Sequence, residues 1–327
     1  MTGIFFNADV QSLVLAAAIA AGTVLAIGPV AIPKLHALKF GQSIREDGPK
    51  SHQAKSGTPT MGGILIVFGI TLATFIAAPM TADVLLALGM LLGHYVLGFL
   101  DDYIKVVKKR NLGLRAKQKL LGQVVIALLV TYFSIEFLHM DTSLWLPFGL
   151  PAVSLGAGYY LFVICVLVGT SNAVNLTDGL DGLAAGTVTI AALAYTVIAL
   201  GMGMEGLAIF GAATAAASFA FLRFNAHPAK IFMGDTGSLA LGGAIAAMGI
   251  LTHTELLLAV IGFVFVVEAL SVILQVASFK STGRRIFRMS PIHHHFELGG
   301  WSEWRVVLTF WACGLIAAAA GVWIYLA

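Results

Sequence analysis

Ten long apolar stretches run through the 327 residues of this chain and constrain its fold more than any other feature. A helix that crosses the hydrocarbon core of a bilayer needs about 20 mostly apolar residues. Charged residues make up 11% of the chain, far below the roughly 25% of soluble domains. The sequence therefore predicts an all-α, polytopic membrane protein with about ten transmembrane helices. The predicted spans are 10–32, 60–78, 84–100, 119–137, 158–174, 183–200, 206–222, 237–252, 256–277 and 304–326.

All 19 Lys and Arg residues fall at one end of this ten-span arrangement, which we call the basic end. Loops at the other end carry none. Because Lys and Arg accumulate on the cytoplasmic side of a membrane, we expect the basic end to be cytoplasmic and both termini to be periplasmic. This topology accounts for the basic residues, so we predict no nucleic-acid partner. The segments that hold the basic residues are 33–59, 101–119, 223–236 and 278–305.

Three aspartates at the basic end are candidates for a cation site. Asp101 and Asp102 directly follow the third predicted span, and Asp235 precedes the eighth. Mg²⁺ favours carboxylate oxygens together with substrate phosphate. Local sequence leaves two alternatives open: a hydrated turn beside lysines for the first pair, and a helix cap for Asp235.

The short segment SNAVNLTDGLDG (171–182) is polar but has no basic residue. If it is helical, Asn175, Asp178 and Asp181 are spaced three apart and share one face. Its glycines would let the backbone approach a ligand closely. Helix capping is the alternative, although a cap needs one such residue and the segment has four. We therefore predict that these side chains contact a ligand.

Three consecutive histidines, His293–His295, lie in the last basic segment near three arginines. In an extended loop their side chains would point in alternate directions, which suits a tetrahedral zinc site poorly. We predict phosphate or sugar contacts, with zinc binding as the alternative. Lys55 and Thr60, in AKSGTPTMGG (54–63), form a second phosphate-compatible loop. Glu268 lies inside the ninth span, and the sequence is compatible with a role for it either in helix packing or in function.

Carboxylates, amides, lysines and histidines on one face of a membrane bundle suggest Mg²⁺-dependent phosphoryl chemistry. Such chemistry needs positioned cations that neutralise the developing charge. Residue chemistry alone does not name the substrate.

Six sequence blocks resemble the polyprenyl-phosphate N-acetylhexosamine-1-phosphate transferases and run in the order of that family. They extend along nearly the whole chain. The forms TPTMGG and PIHHHFE point to the branch whose donor carries a pentapeptide. The blocks are KSGTPTMGG (55–63), GFLDDYIKV (98–106), LRAKQKLLGQ (114–123), SNAVNLTDGLDGLA (171–184), FNAHPAKIFMGDTGSLALGG (224–243) and PIHHHFELGGW (291–301).

The resemblance implies a phosphotransferase of peptidoglycan synthesis, multi-pass in the bacterial inner membrane, with its active site on the cytoplasmic face. It implies transfer of phospho-MurNAc-pentapeptide from UDP-MurNAc-pentapeptide to undecaprenyl phosphate, which yields lipid I and UMP. A single catalytic domain over 1–327 and a homodimer are also implied. Asp101, Asp102 and Asp235 are implied to be catalytic, and Asp235 is also implied to bind the cofactor, Mg²⁺. The implied substrate-binding residues are Lys55, Thr60, Lys117, Asn175, Asp178, Asp181, Asn225, Phe232, His293, His294 and His295, with Asp181 and Phe232 near uracil.

Two other functions stay open at this stage. A sister enzyme that transfers GlcNAc-1-phosphate from UDP-GlcNAc would share the aspartates and differ in the histidine loop. A secondary transporter fits the composition and Glu268, but it would place polar groups near the bilayer midplane rather than at one surface. For the reaction, we favour direct attack by the lipid phosphate over a covalent phospho-aspartate. A phosphomonoester with a second pKa of about 6 is already mostly dianionic at neutral pH.

Overall fold

The computed structural model describes residues 10–37, 55, 57–108 and 112–327. Several basic residues of the predicted loops, Lys39, Arg45, Lys50, Lys109 and Arg110, lie outside this part of the chain. The described residues form twelve α-helices and one small antiparallel sheet. The helices are α1 (Val10–Ala37), α2 (Gly63–Ala77), α3 (Ala82–Val107), α4 (Ala116–Leu138), α5 (Gly158–Thr177), α6 (Leu183–Gly201), α7 (Glu205–Asn225), α8 (Gly234–Leu251), α9 (Glu255–Ile261), α10 (Phe263–Thr282), α11 (Ile292–Glu297) and α12 (Glu303–Leu326). The strands are β1 (Ser143–Leu144) and β2 (Val153–Ser154).

Nine of the described helices are long and apolar enough to cross a membrane, which confirms the predicted all-α polytopic class. The second predicted span, 60–78, corresponds to α2, an apolar helix of 15 residues that is shorter than the other nine. The chain before α2 forms backbone contacts with the segment before α8. The N–H groups of Gly62 and Gly63 donate to the carbonyls of Phe232 and Met233, at 2.9 and 3.0 Å.

The predicted ninth span, 256–277, is wrong as a single helix. Gly262 separates α9 from α10, and its N–H donates to the carbonyl of Leu258 at 2.8 Å. Glycine destabilises a helix interior because it has the most backbone freedom to lose. The break falls at this residue for that reason, and α10 alone is long enough to span the membrane.

The third span is longer than the sequence predicts. α3 continues past residue 100 to Val107, so Asp101 and Asp102 lie inside the helix and are buried. The alternative of a hydrated surface turn for these two residues is therefore wrong.

α8 lies at the centre of the bundle and is buried from Thr236 to Leu251. Its glycines explain this position. A Cβ added at Gly242 would lie 2.5 Å from the Cα of Ser171 on α5, and one at Gly243 would lie 2.7 Å from His94 Nδ1 on α3. Small residues let membrane helices pack at such short separations, so α8 can hold α3 and α5 on either side.

The outer helices expose apolar side chains instead of burying them. Exposed large apolar side chains occur on α1, α4, α10 and α12, for example Leu129, Ile273 and Ile316. Extended apolar surface marks contact with a membrane or a partner. In a bilayer these faces contact lipid.

The up-and-down path brings ten helix ends together at the basic end. Carboxyl ends come from α1, α3, α5, α7 and α10, and amino ends from α2, α4, α6, α8 and α12. The polar residues singled out in the sequence lie on or beside these ends, and this common position assembles the site.

Candidate active site

The three predicted catalytic aspartates meet at one place. Asp101, Asp102 and Asp235 each offer one carboxylate oxygen, and these oxygens lie within 4.8 Å of one another. The first two stand on α3 and are 1% and 3% exposed, whereas Asp235 stands in the first turn of α8. α3 and α8 approach closely because residue 98 is glycine. A Cβ there would overlap the backbone carbonyl of Asp235.

Each carboxylate on α3 is held by several donors. Asp101 Oδ1 accepts from the Leu114 N–H at 2.7 Å and lies 3.0 Å from Lys119 Nζ. Its Oδ2 lies 2.6 Å from Lys105 Nζ. Asp102 Oδ2 accepts from both the N–H and the hydroxyl of Thr236, at 2.8 and 2.7 Å. These contacts fix both carboxylates in position.

Asp235 is held by groups from three other helices. Its Oδ2 contacts Lys119 of α4 and lies 3.2 Å from Lys105 Nζ of α3. Its Oδ1 accepts from Asn175 Nδ2 of α5 at 3.0 Å. The Asn175 amide also donates to the hydroxyl of Ser238 at 2.8 Å. Four helices therefore set the position of one carboxylate.

These acidic groups could hold a metal ion. Three aspartates outnumber the two lysines among them, so the cluster keeps one negative charge when all five groups are ionised. Hard divalent cations such as Mg²⁺ take oxygen ligands of this kind. The composition of the cluster fits the predicted cofactor.

The segment that holds Asp178 and Asp181 is a turn rather than a helical face. α5 ends at Thr177, and Asp178 follows as its cap residue. Burial raises the pKa of the Asp178 carboxyl well above its usual range. Repulsion by the carboxylates of Asp235, Asp102 and Asp181 raises it further. A hydrogen bond from the Gly234 N–H offsets only part of this increase.

We expect Asp178→Asn to stabilise the protein in metal-free buffer at neutral pH. A carboxyl with a raised folded-state pKa binds more protons when folded, so stability falls as pH rises from about 4 through that pKa. The substitution removes this penalty. The melting temperature in detergent with EDTA should be higher than that of the wild type at pH 7. The difference should vanish near pH 4, about the unfolded-state value.

Asp141 supplies the control for this experiment. It is exposed at the opposite end, and a hydrogen bond from Ser143 lowers its pKa. Asp141→Asn should therefore not raise the melting temperature at pH 7. A wild-type melting temperature for Asp178→Asn at every pH would contradict the raised pKa of Asp178.

A second polar cluster joins the Asp181 turn to α12. Lys55 Nζ lies 2.8 Å from Asp181 Oδ1 and 2.7 Å from Glu303 Oε1. His227 Nδ1 lies 3.0 Å from Asp181 Oδ2 and 3.1 Å from Glu303 Oε2. The Asp181 N–H also donates to Glu303 at 2.8 Å. The two acids and the histidine could hold a metal as well, although the Lys55 ammonium already contacts both carboxylates and offsets one of their two charges.

Four further predicted substrate residues have different surroundings. The Asn225 side-chain amide links two backbone segments. Its oxygen accepts from the Gly182 N–H at 3.1 Å, and its nitrogen donates to the Ile231 carbonyl at 3.0 Å. Phe232 is half-buried beside this segment, and Thr60 is buried close to Gly234. Lys117 is exposed in the first turn of α4. Their contacts with substrate stay predictions.

The histidines lie in a short helix, α11, and the expected extended loop is wrong. Their side chains therefore have three separate environments. His293 is fully buried, with Nδ1 3.0 Å from Glu268 Oε2. His294 Nδ1 lies 2.7 Å from Glu297 Oε2. His295 Nδ1 accepts from the Arg288 N–H at 3.1 Å. The three rings do not converge on one point.

Sequence reasoning missed four residues of the site: Lys105, Lys119, His227 and Glu303. A signal existed for Lys105, because a spacing of four in a helix brings it back to Asp101. The next two lie inside the matched blocks but were not singled out. Glu303 lies outside those blocks, and only its contacts across the fold reveal it.

Known proteins match this chain over most of its length. Residues 84–253 match the family model for glycosyl transferase family 4, and residues 55–67 match the phospho-N-acetylmuramoyl-pentapeptide-transferase signature 1. The matched ranges include the three clustered aspartates and Lys55.

Curated relatives agree with these matches. A phospho-N-acetylmuramoyl-pentapeptide-transferase of Bacillus pumilus (strain SAFR-032) is 57% identical over 302 residues, covering 91% of this chain and 93% of the relative. One from Geobacillus sp. (strain WCH70) is 56% identical over 318 residues, covering 96% and 98%. One from Desulfitobacterium hafniense (strain DSM 10664 / DCB-2) is 52% identical over 330 residues, covering 97% and 98%. The resemblance found in the sequence blocks is thus confirmed, and the chain belongs to the phospho-N-acetylmuramoyl-pentapeptide-transferase family.

Proposed function

We propose that this membrane protein transfers phospho-MurNAc-pentapeptide from UDP-MurNAc-pentapeptide to undecaprenyl phosphate, forming lipid I and releasing UMP. The observation that carries the proposal is the meeting of Asp101, Asp102 and Asp235 at the basic end. They meet in a chain more than half identical to relatives that bear the transferase name.

Asp235, with Asp101 and Asp102 beside it, would hold Mg²⁺, which would neutralise charge on the donor diphosphate. Lys105 and Lys119 keep the carboxylates in place through the contacts described above. They also add positive charge where phosphate oxygens would arrive. Positioned cations are the main requirement of phosphoryl transfer.

Direct attack by the lipid phosphate fits the contacts of Asp101 and Asp102 better than a covalent phospho-aspartate does. A carboxylate that acts as a nucleophile needs an oxygen free to reach the phosphorus atom. Asp101 has contacts at both oxygens, and Asp102 Oδ2 accepts twice. Attack by the already dianionic lipid phosphate needs no such nucleophile. Asp101 then orients the acceptor or takes up its residual proton.

The second cluster is the proposed donor site. Lys55 and His227 surround the Asp181 turn with positive and hydrogen-bonding groups. Phe232 is half-buried and follows Ile231, whose carbonyl accepts from Asn225, and it would offer an apolar face for uracil. Asp178 is close enough to both clusters that the charges of Asp235, Asp102 and Asp181 raise its pKa. A donor could therefore bind with its nucleoside at one cluster and its diphosphate at the other.

We propose the inner membrane as the location, with the basic end cytoplasmic and both termini periplasmic. The positive-inside rule supports this orientation. Apolar side chains also support entry of the acceptor tail from the bilayer. Leu100 and Tyr103 are exposed on the turn of α3 that holds the buried aspartates, and Val96 is exposed on the turn before it. The acceptor phosphate could then reach the aspartates while its tail stays in lipid.

UMP release by detergent-purified protein tests the proposal. The assay supplies undecaprenyl phosphate and Mg²⁺ and compares UDP-MurNAc-pentapeptide with UDP-GlcNAc. We expect release with the pentapeptide donor alone, and its loss on chelation or without lipid.

Other outcomes would contradict the proposal in distinct ways. Release with UDP-GlcNAc alone would assign the chain to the sister reaction. No release with either donor, from protein with a cooperative melting transition, would favour the secondary transporter.

A further inference from the structure

Glu268 and His293 form a fully buried pair outside both polar clusters. Both side chains are 0% exposed, and His293 Nδ1 lies 3.0 Å from Glu268 Oε2. Glu268 stands on α10 and His293 on α11. An ionisable group buried within a membrane bundle is costly. This pair therefore calls for an explanation that packing of apolar side chains does not supply.

The hydrogen bond fixes the orientation of the imidazole. A carboxylate can only accept, so Nδ1 carries the hydrogen and donates to Glu268. A carboxylate that receives one ring nitrogen sets the tautomer and direction of the other, as it does for histidines that bind metals. His293 Nε2 and Glu268 Oε1 have no hydrogen-bond partner among the described residues. Within the part of the chain that the structure describes, Glu268 is therefore the polar group that holds the ring.

The edge of the imidazole that carries Nε2 packs against the Asp178–Asp181 turn at Gly179. A Cβ added at Gly179 would overlap His293 Nε2 and come within 2.7 Å of Cε1. Gly179 lies between Asp178 and Asp181, so the ring packs against the backbone of the turn that carries these two carboxylates. A small apolar cluster includes Leu180 of the same turn. Its buried members are Leu180, Leu183, Val264, Val306, Val307 and Phe310.

We propose that Glu268 is a positioning residue for the donor. Through its hydrogen bond it holds the His293 ring against Gly179, and the ring in turn sets the position of the Asp178–Asp181 turn. Glu268 touches no substrate in this arrangement. This inference rests on the proposed function, because that function makes the turn a donor-binding element.

The test compares Glu268→Leu with Glu268→Gln in purified protein. Leucine cannot accept from His293 Nδ1, whereas the glutamine amide oxygen can. A hydrogen bond to a charged group contributes enough to change binding about tenfold or more. We expect Glu268→Leu to raise KM for the UDP donor, and Kd for UMP in calorimetry, by about that factor. KM for undecaprenyl phosphate should not change. Glu268→Gln should restore donor KM to within about threefold of wild type.

Glu255→Leu is the matched control. Glu255 is also buried, and it accepts from the Tyr159 hydroxyl at 2.5 Å, at the end of the bundle away from the aspartates. Its loss should lower the melting temperature but leave donor KM unchanged. If Glu268→Leu instead raises both substrate KM values, or neither, Glu268 serves folding only and the inference is overturned.

Gly179→Ala gives a second test that does not depend on the stability of a single variant. In the wild type the added methyl meets a fixed ring, so donor KM should rise. In a Glu268→Leu background the ring can move, and the same change should cost less. Contacting residues that act through one another give such non-additive effects. Additive effects would overturn the inference. If the wild type releases no UMP at all, the proposed function fails rather than this inference.

Discussion

Asp235→Asn should reduce UMP release by at least about a thousandfold while the protein stays folded. Metal-assisted charge stabilisation contributes several kcal/mol, and each 1.36 kcal/mol is about tenfold in rate. Asparagine keeps the size and the contact with Asn175 but removes the charge that would hold the cation. Two lysines would then face only two carboxylates in the cluster. Asp101→Asn should have an effect of similar size, since its carboxylate contacts the same two lysines.

The measurement is the initial rate of UMP release, with the melting temperature determined on the same preparation. Asp83→Asn is the matched control, because Asp83 lies in the first turn of α3, at the other end of the helix from Asp101. It should keep wild-type turnover. Wild-type-like turnover in Asp235→Asn or Asp101→Asn would remove that residue from the proposed catalytic role.

Gly98→Ala should lower both stability and activity, because it separates two helices of the site. The added methyl would overlap the backbone carbonyl of Asp235, which cannot rotate away as a side chain can. Overpacking of this kind costs about 3 kcal/mol, which for a chain of 327 residues corresponds to a fall of roughly 4 °C in melting temperature. The shift would move Asp235 away from Asp101 and Asp102. A displacement of about 1 Å costs roughly a hundredfold in rate.

Gly89→Ala provides the control on the same helix. Nothing lies within 4 Å of a Cβ at Gly89, so the protein should keep its melting temperature and turnover. Equal behaviour of the two variants would contradict the view that contact between α3 and α8 assembles the aspartates.

Much of the fold follows from apolar length and basic loops. The ten predicted spans each correspond to helical structure, because burying backbone in a bilayer requires about 20 apolar residues with internal hydrogen bonds. The errors occurred where a local feature overrode hydropathy. Gly262 breaks the ninth span, and α3 continues through two aspartates that an apolar window excludes. The small hairpin between α4 and α5 carried no recognisable signal.

The site divides in the same way. Sequence identified the aspartates, the Asn175–Asp181 segment, Lys55 and the histidines as chemically suited to phosphoryl transfer. It did not identify Lys119 or Glu303 as their partners. Lys119 and Asp235 are 116 residues apart in sequence, and Lys55 and Glu303 are 248 apart. No helical or strand periodicity extends over such separations.

The sequence by itself determined the membrane class, the end at which charge collects and the family. These properties depend on residue type and local order, which hydropathy and motifs record directly. Only the tertiary structure decided which lysines pair with which carboxylates and which histidine is buried against Glu268. It alone also showed that Gly98 allows α3 and α8 to approach closely. Those features depend on where helices distant in sequence touch, and close packing of small residues around α8 decides that.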